Sequence, residues 1–109
     1  MSRFFLGVFA AAVMLVPCIG QAADLEAAKK KVSEICQACH GMDGNSQVPD
    51  YPKLAGQNQD YLAKTLRDYK SGARKDPTMN GFAGTLTVQD IDNLAAYFSA
   101  QPAVLQTRM

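Results

Sequence analysis

The feature that most constrains this chain is the pattern C-x-x-C-H within "EICQACHGMDG", residues 34–44. Cys36, Cys39 and His40 fall within five residues, and His40 is the only histidine in 109 residues. A chain of this length allows one domain with a limited core, and such domains often add a disulfide, a metal or another staple. The motif is therefore expected to hold the group that supplements the core.

The N-terminus reads as an export signal. Arg3 supplies a positive charge, residues 4–16 form an uncharged apolar run, and Pro17 ends that run. The run is shorter than the ~20 residues that a helix needs to cross a bilayer, so a cleaved signal is favoured over an uncleaved anchor. The pattern predicts a signal peptide over residues 1–22.

Small residues at Gly20-Gln21-Ala22 place the expected cleavage after Ala22, with Ala23 as the alternative. Cys18 lies inside this signal and is expected to be absent from the mature domain, residues 23–109. Loss of Arg3 reduces the 11 basic residues to 10, against 10 acidic ones. This balance leaves no excess of positive charge that would attract nucleic acid or an anionic membrane.

Apolar spacing predicts three helices and no strand pair, which indicates an all-α domain. The helices are expected at about Leu25 to Gln37, Gln59 to Ser71 and Val88 to Ala100. Two turn-rich loops, at residues 42–56 and 73–86, connect them. Long loops in so small a domain need something to wrap around.

The last predicted helix carries the clearest signals. Thr87 and Asp90 form a T-x-x-D capping pattern, and Pro102 follows the end of the helix. Its expected buried face consists of Ile91, Leu94, Ala95 and Phe98.

Four interpretations of the motif compete. A structural zinc site needs four ligands, and the mature chain offers two cysteines and one histidine. A thioredoxin-like redox pair belongs near a βαβ pattern, whereas a helix precedes this motif. A plain disulfide between Cys36 and Cys39 leaves His40 unexplained. The fourth interpretation is covalent c-type haem, for which C-x-x-C-H is the sequence pattern.

The haem interpretation accounts for all three side chains. Each thiol can add across one porphyrin vinyl group, and His40, the next residue, can then turn its imidazole onto the iron. Gly41 lets the chain leave without a side chain that would crowd the ring. Export, a lone histidine and a small helical domain favour this interpretation over the other three.

A second axial ligand would make the haem an electron carrier. With no other histidine available, the candidates are Met42, Met79 and Met109. Met42 is too close to His40 in sequence to reach the opposite face, and Met109 ends the chain. Met79 lies in the predicted loop "KDPTMNGFAG" and is favoured, although methionines also commonly fill cores. Ligation by histidine and methionine raises the reduction potential.

Several segments together resemble the small bacterial class I cytochromes c. They are "CQACHG", "YPKLAGQ", "YLAKTLRDYKSGAR", Met79 and "LTVQDIDNLAAYFSAQ", covering most of residues 32–101. The likeness covers most of the mature chain, from about Val32 to Gln101, and is greatest to monohaem members and to one half of dihaem members. With one C-x-x-C-H in this sequence, we expect one haem.

The resemblance implies a compact class I cytochrome c fold, with three main helices and loops wrapped around a covalently bound haem. The first and last helices would contact near Leu94 and Tyr97. Cys36 and Cys39 would carry the haem, with His40 and Met79 as the iron's axial ligands. Pro52 matches the proline whose carbonyl accepts a hydrogen bond from the histidine, although it could equally serve to stiffen the loop.

The expected function is that of a soluble periplasmic carrier of single electrons, not an enzyme, which docks briefly on redox partner proteins at the haem edge. No nucleic acid partner and no stable membrane insertion after cleavage are expected. One alternative is a haem subunit of a larger periplasmic oxidoreductase. Another is a ligand-binding or peroxidatic haem protein in which Met79 is detached.

Overall fold

A computed structural model describes residues 2–17 and 22–105, and its secondary structure consists of helices. Helix α1 has three parts: an α-helical part at Leu25–Lys31, a π-helical stretch at Val32–Cys36 and a final α-helical turn at Gln37–His40. Helices α2, α3 and α4 follow at Gln59–Ser71, Pro77–Gly84 and Val88–Ser99. Among the described residues no strand occurs, which agrees with the all-α prediction.

Helix α1 extends three residues beyond its predicted end. Asp24 caps its N-terminus by accepting from the amide of Ala27, and Gly41 ends it with φ +80°. Because the backbone stays helical until this glycine, the C-x-x-C-H residues belong to α1 itself. The π-helical stretch runs directly into the motif, and such widened turns occur frequently at functional sites.

Helix α3 corrects the prediction of a continuous loop over residues 73–86. Proline and glycine usually interrupt a helix, so the sequence favours a loop where it has Pro77, Gly81 and Gly84. Pro77, however, occupies the first turn, where its fixed φ and missing amide hydrogen suit a helix. Asp76 caps that turn through the amides of Thr78 and Met79. The described part of the domain therefore has four helical segments, and Met79 lies in one of them.

The core lies where α1 and α2 pack against α4, which confirms the expected contact between the first and last helices. The amide of Asp24 donates to Asn93 Oδ1 at 2.9 Å, and the hydroxyl of Tyr97 donates to the carbonyl of Met42 at 2.7 Å. The predicted face of α4 is fully buried: Ile91, Leu94, Ala95 and Phe98. The Thr87–Asp90 capping box is also present.

The N-terminal run stays outside this core. Its apolar side chains are almost fully exposed, as in Phe4 at 91% and Phe9 at 100%. None of the helices in the described part of the chain has the length and apolar character needed to span a bilayer. Cys18, Gly20 and Gln21, which bear on the predicted signal, lie outside the described residues.

Truncation of Leu94 tests the assignment of the core face. Leu94 is 1% exposed, so Leu94→Ala should lower the free energy of unfolding by about 2–5 kcal/mol. The control is Val88→Ala on the same helix, where Val88 is 67% exposed and the change should stay within about 0.5 kcal/mol. Denaturant titration of both variants measures the difference, and equal losses would contradict this core.

Candidate functional site

The two motif cysteines lie on one face of α1. Cys36 ends the π-helical stretch and Cys39 follows three residues later, a spacing that places side chains on the same face of a helix. Both side chains are half-buried, and both are free thiols. The disulfide interpretation therefore finds no support between these residues. Two adjacent thiols on one face are available for attachment to another group.

The environment of Cys36 does not favour thiolate chemistry. Burial raises the pKa of the Cys36 thiol to about 11, although the positive charge of Lys31 acts in the opposite direction. Catalytic and redox-active cysteines have a lowered pKa, since the thiolate is the nucleophile. The thioredoxin-like interpretation is therefore disfavoured. A protonated, half-buried thiol is still suited to form a stable carbon–sulfur bond.

The described residues around the motif provide no set of ligands for a zinc ion. In residues 2–17 and 22–105, no group of three histidine, cysteine or acidic side chains is close enough together to hold a metal ion. A structural zinc needs four such ligands.

His40 is buried, at 7% exposure, in the last turn of α1. Its Nδ1 lies 2.8 Å from the carbonyl oxygen of Pro52, twelve residues away. A carbonyl can only accept, so Nδ1 must carry the hydrogen, and in the neutral imidazole Nε2 then carries the lone pair. The Tyr51 ring stands edge-on to the imidazole, with 6.3 Å between centroids. The ring is thus oriented, and one nitrogen is left free to bind a metal.

A tightly packed loop holds the Pro52 carbonyl in place. The carbonyl of Gly44 accepts from the amides of Leu54 at 2.8 Å and Ala55 at 3.2 Å. Gly44 itself has φ +75°, and a Cβ there would come within 2.8 Å of both the Ala55 amide nitrogen and the Phe98 ring. Only glycine allows this close approach. The loop is therefore fixed against α4, and so is the hydrogen bond to His40.

The C-terminal segment reinforces the same loop. Asn45 is buried, and its side-chain amide donates to the carbonyl of Pro102 and accepts from the amide of Val104, each at 2.8 Å. Lys53 Nζ donates to the carbonyl of Val104 at 2.7 Å. Neither residue was predicted from the sequence, because their partners lie more than 50 residues away and no local pattern marks such contacts.

Met79 lies in the first turn of α3 and is half-buried. Helix α3 packs mainly against α2, so Met79 lies on a different element from Cys36, Cys39 and His40, which all belong to α1. Met42 packs against the core from directly beyond the motif. Met109 lies outside the described residues.

The donor set fits a covalently attached porphyrin. Two unpaired thiols, an imidazole whose Nε2 is free, and a thioether on another helix match the ligand chemistry of c-type haem. Asp76 and Asn80, which lie on either side of Met79 and hold α3 in place, were not predicted from the sequence. The signal was present as Asp-Pro, a cap residue followed by a first-turn proline.

Comparisons with known proteins agree with this geometry. The family model described as Cytochrome c matches residues 25–101. Cytochrome c4 of Stutzerimonas stutzeri is 47% identical over 89 residues, covering 73% of this chain and 42% of that protein. Cytochrome c-554(548) of Halomonas halodenitrificans is 40% identical over 83 residues, covering 73% of this chain and 99% of that protein.

The fold is also similar to a solved structure. The crystal structure of reduced recombinant cytochrome c4 from Pseudomonas stutzeri superposes with a TM-score of 0.71 at 45% identity. The match covers 77% of this chain and 48% of that one. The chain thus spans less than half the length of these cytochrome c4 proteins.

Proposed function

Because the chain belongs to the cytochrome c family and has the class I fold, we propose that it carries single electrons through one covalently bound c-type haem. The observation that carries the proposal is the arrangement of His40, whose Nδ1 donates to the Pro52 carbonyl and leaves Nε2 free, on the same helix as two unpaired cysteines. A c-type haem supplies one-electron chemistry between ferric and ferrous iron. The single C-x-x-C-H of this sequence supports one haem.

Cys36 and Cys39 would hold the porphyrin, each through a thioether bond to a vinyl group. Their common face on α1 supports this role, since both bonds must reach one edge of a planar ring. His40 follows directly and would bind the haem iron through Nε2.

Pro52 fixes the orientation of that ligand. By accepting the Nδ1 hydrogen, its carbonyl selects the tautomer and raises the basicity of Nε2. Simple stiffening of the loop would not require the carbonyl to point at the imidazole. The 2.8 Å contact therefore favours the role of Pro52 as a partner of His40.

Met79 would supply the second protein bond to the haem iron. A thioether is a soft donor that favours ferrous iron, so this ligand raises the reduction potential. Two protein ligands also leave no open position for a small molecule. That property separates an electron carrier from a ligand-binding or peroxidatic haem protein.

The carrier meets its redox partners transiently at the exposed edge near the thioethers. We place it in the periplasm after removal of residues 1–22, with cleavage after Ala22, since residues 4–16 are apolar and stay apart from the core.

Gel filtration of native extract tests whether the protein is a free carrier. A species of monomer size supports a free carrier, whereas recovery only in a large complex indicates a subunit of an oxidoreductase.

Optical spectra of the matured protein test the haem and both axial ligands together. We expect a low-spin ferric and ferrous iron, a sulphur-to-iron charge-transfer band in the ferric form, and colour that stays with the protein in acidified organic solvent. Myoglobin, whose haem is not covalently attached, is the extraction control. A colourless product from a host that attaches haem, or a high-spin iron, would refute the proposal.

A further inference from the structure

The side chain of Asn80 joins three backbone segments. Its Nδ2 donates to the carbonyl of Tyr69, in the last turns of α2, and to the carbonyl of Arg74, in the loop that follows, both at 2.8 Å. Its Oδ1 accepts from the amide of Asp76 at 2.9 Å. One amide thus ties the end of α2, the connecting loop and the start of α3 to one another.

The same network holds the backbone on both sides of Met79. Asp76 Oδ1 accepts from the amides of Thr78 at 3.0 Å and Met79 at 3.1 Å. The amide of Asn80 donates to the carbonyl of Asp76 at 2.8 Å. Met79 therefore lies between Asp76, which accepts from its amide, and Asn80, which links Asp76 to the end of α2.

A second anchor holds the other end of α3. Lys70 Nζ donates to the carbonyls of Leu86 at 2.6 Å and Gly84 at 3.2 Å. The end of α2 therefore holds both ends of the eight-residue helix α3, through Asn80 and through Lys70.

Helix α3 needs these anchors because its own sequence stabilises it poorly. It is short, and it contains Gly81 and Gly84, whose backbone loses the most freedom on becoming helical. Neither glycine has a close neighbour beyond the helix that would require the absence of a side chain. The position of Met79 is therefore set by contacts with α2, rather than by the intrinsic stability of its helix.

We propose that Asn80 is a positioning residue, whose amide holds the start of α3 against the end of α2 and so keeps the Met79 sulphur in place as an axial ligand. This inference rests on the proposed function. Asn80 acts through the backbone around Met79, without contacting the iron. Loss of its donors frees the start of α3 and raises the fraction of molecules in which Met79 is detached.

Competition with imidazole measures that fraction on the haem-loaded protein. Imidazole binds ferric iron only where Met79 has left, so its apparent affinity scales with the detached population. Asn80→Ala should raise that affinity at least roughly tenfold and weaken the sulphur-to-iron charge-transfer band. The matched control is Asn58→Ala, because the Asn58 side chain accepts from the amide of Tyr61 at 3.0 Å and caps the opposite end of α2. This control should leave the imidazole affinity unchanged.

Wild-type affinity in Asn80→Ala would overturn the inference. An equal rise in Asn58→Ala would also overturn it, since that result would indicate general loosening. If Asn80→Ala does not accumulate with haem, Asn80→Asp is measured instead: it keeps an acceptor for the Asp76 amide and loses the donors, so wild-type resistance to imidazole would overturn the inference there. If the wild type itself binds imidazole as readily as Met79→Ala does, the proposed ligation by Met79 fails instead.

Discussion

Replacement of both Cys36 and Cys39 by serine is expected to abolish covalent attachment of haem. A serine hydroxyl keeps the size and the position on the face of α1 but does not form a thioether with a vinyl group. His40 and Met79 would then be the only bonds to the cofactor, and acidified organic solvent would extract it. The measurement is the haem absorbance that remains with the precipitated protein, relative to the wild type.

Cys18→Ser is the matched control for this double variant. Cys18 lies within the predicted signal peptide, so its replacement should leave the haem content of the matured protein unchanged. Each single variant, Cys36→Ser or Cys39→Ser, should retain one bond and therefore stay coloured after extraction. Full retention of haem in the double variant would contradict attachment through these two residues.

Replacement of Met79 by alanine is expected to produce the second large effect. Loss of the soft sulphur ligand removes its preference for ferrous iron, so the reduction potential should fall. A fall of at least roughly 120 mV would correspond to a hundredfold change in the one-electron equilibrium, within the ~0.8 V range that axial ligands control. Potentiometric titration followed by absorbance measures the shift. The open position should also let the ferrous protein bind carbon monoxide.

Met42→Ala is the matched control for this variant. Met42 is half-buried like Met79 and packs against the core, so its truncation loosens the domain without removing a ligand in our assignment. Its potential should stay near that of the wild type, and its ferrous form should not bind carbon monoxide. If Met42→Ala rather than Met79→Ala opens the iron, the two methionines have been assigned the wrong way round.

The sequence predicted most of the helical framework, since the signals involved are local. The bounds of α2 agree with the structure, and the capping box and buried face of α4 are present as expected. The prediction was wrong at α3, where a proline and two glycines favoured a loop. There the hydrogen bonds of Asn80 and Lys70 outweigh the weak propensity of the segment.

The candidate site divides in the same way. The spacing of Cys36, Cys39 and His40 along the chain is a property of the sequence, so the sequence by itself determined the chemistry that these residues can support. The continuation of α1 through Cys39 and His40 was not predicted. The residue spacing did not determine which nitrogen of His40 is free; only the resemblance implied that the Pro52 carbonyl accepts a hydrogen bond from the histidine. Which nitrogen is free depends on the Pro52 carbonyl, whose position is set by the packing of Gly44 against α4.

Only the tertiary structure decided which residues form the long-range contacts. Asn45 binds the segment at Pro102 to Val104, and Asn80 binds the end of α2. The partners in these pairs are separated in the sequence by turns or helices. The spacing of residues along the chain does not show which of them meet in the folded protein. Local chemistry was therefore readable from the sequence, whereas the orientation of the imidazole and the anchoring of Met79 depend on the folded chain.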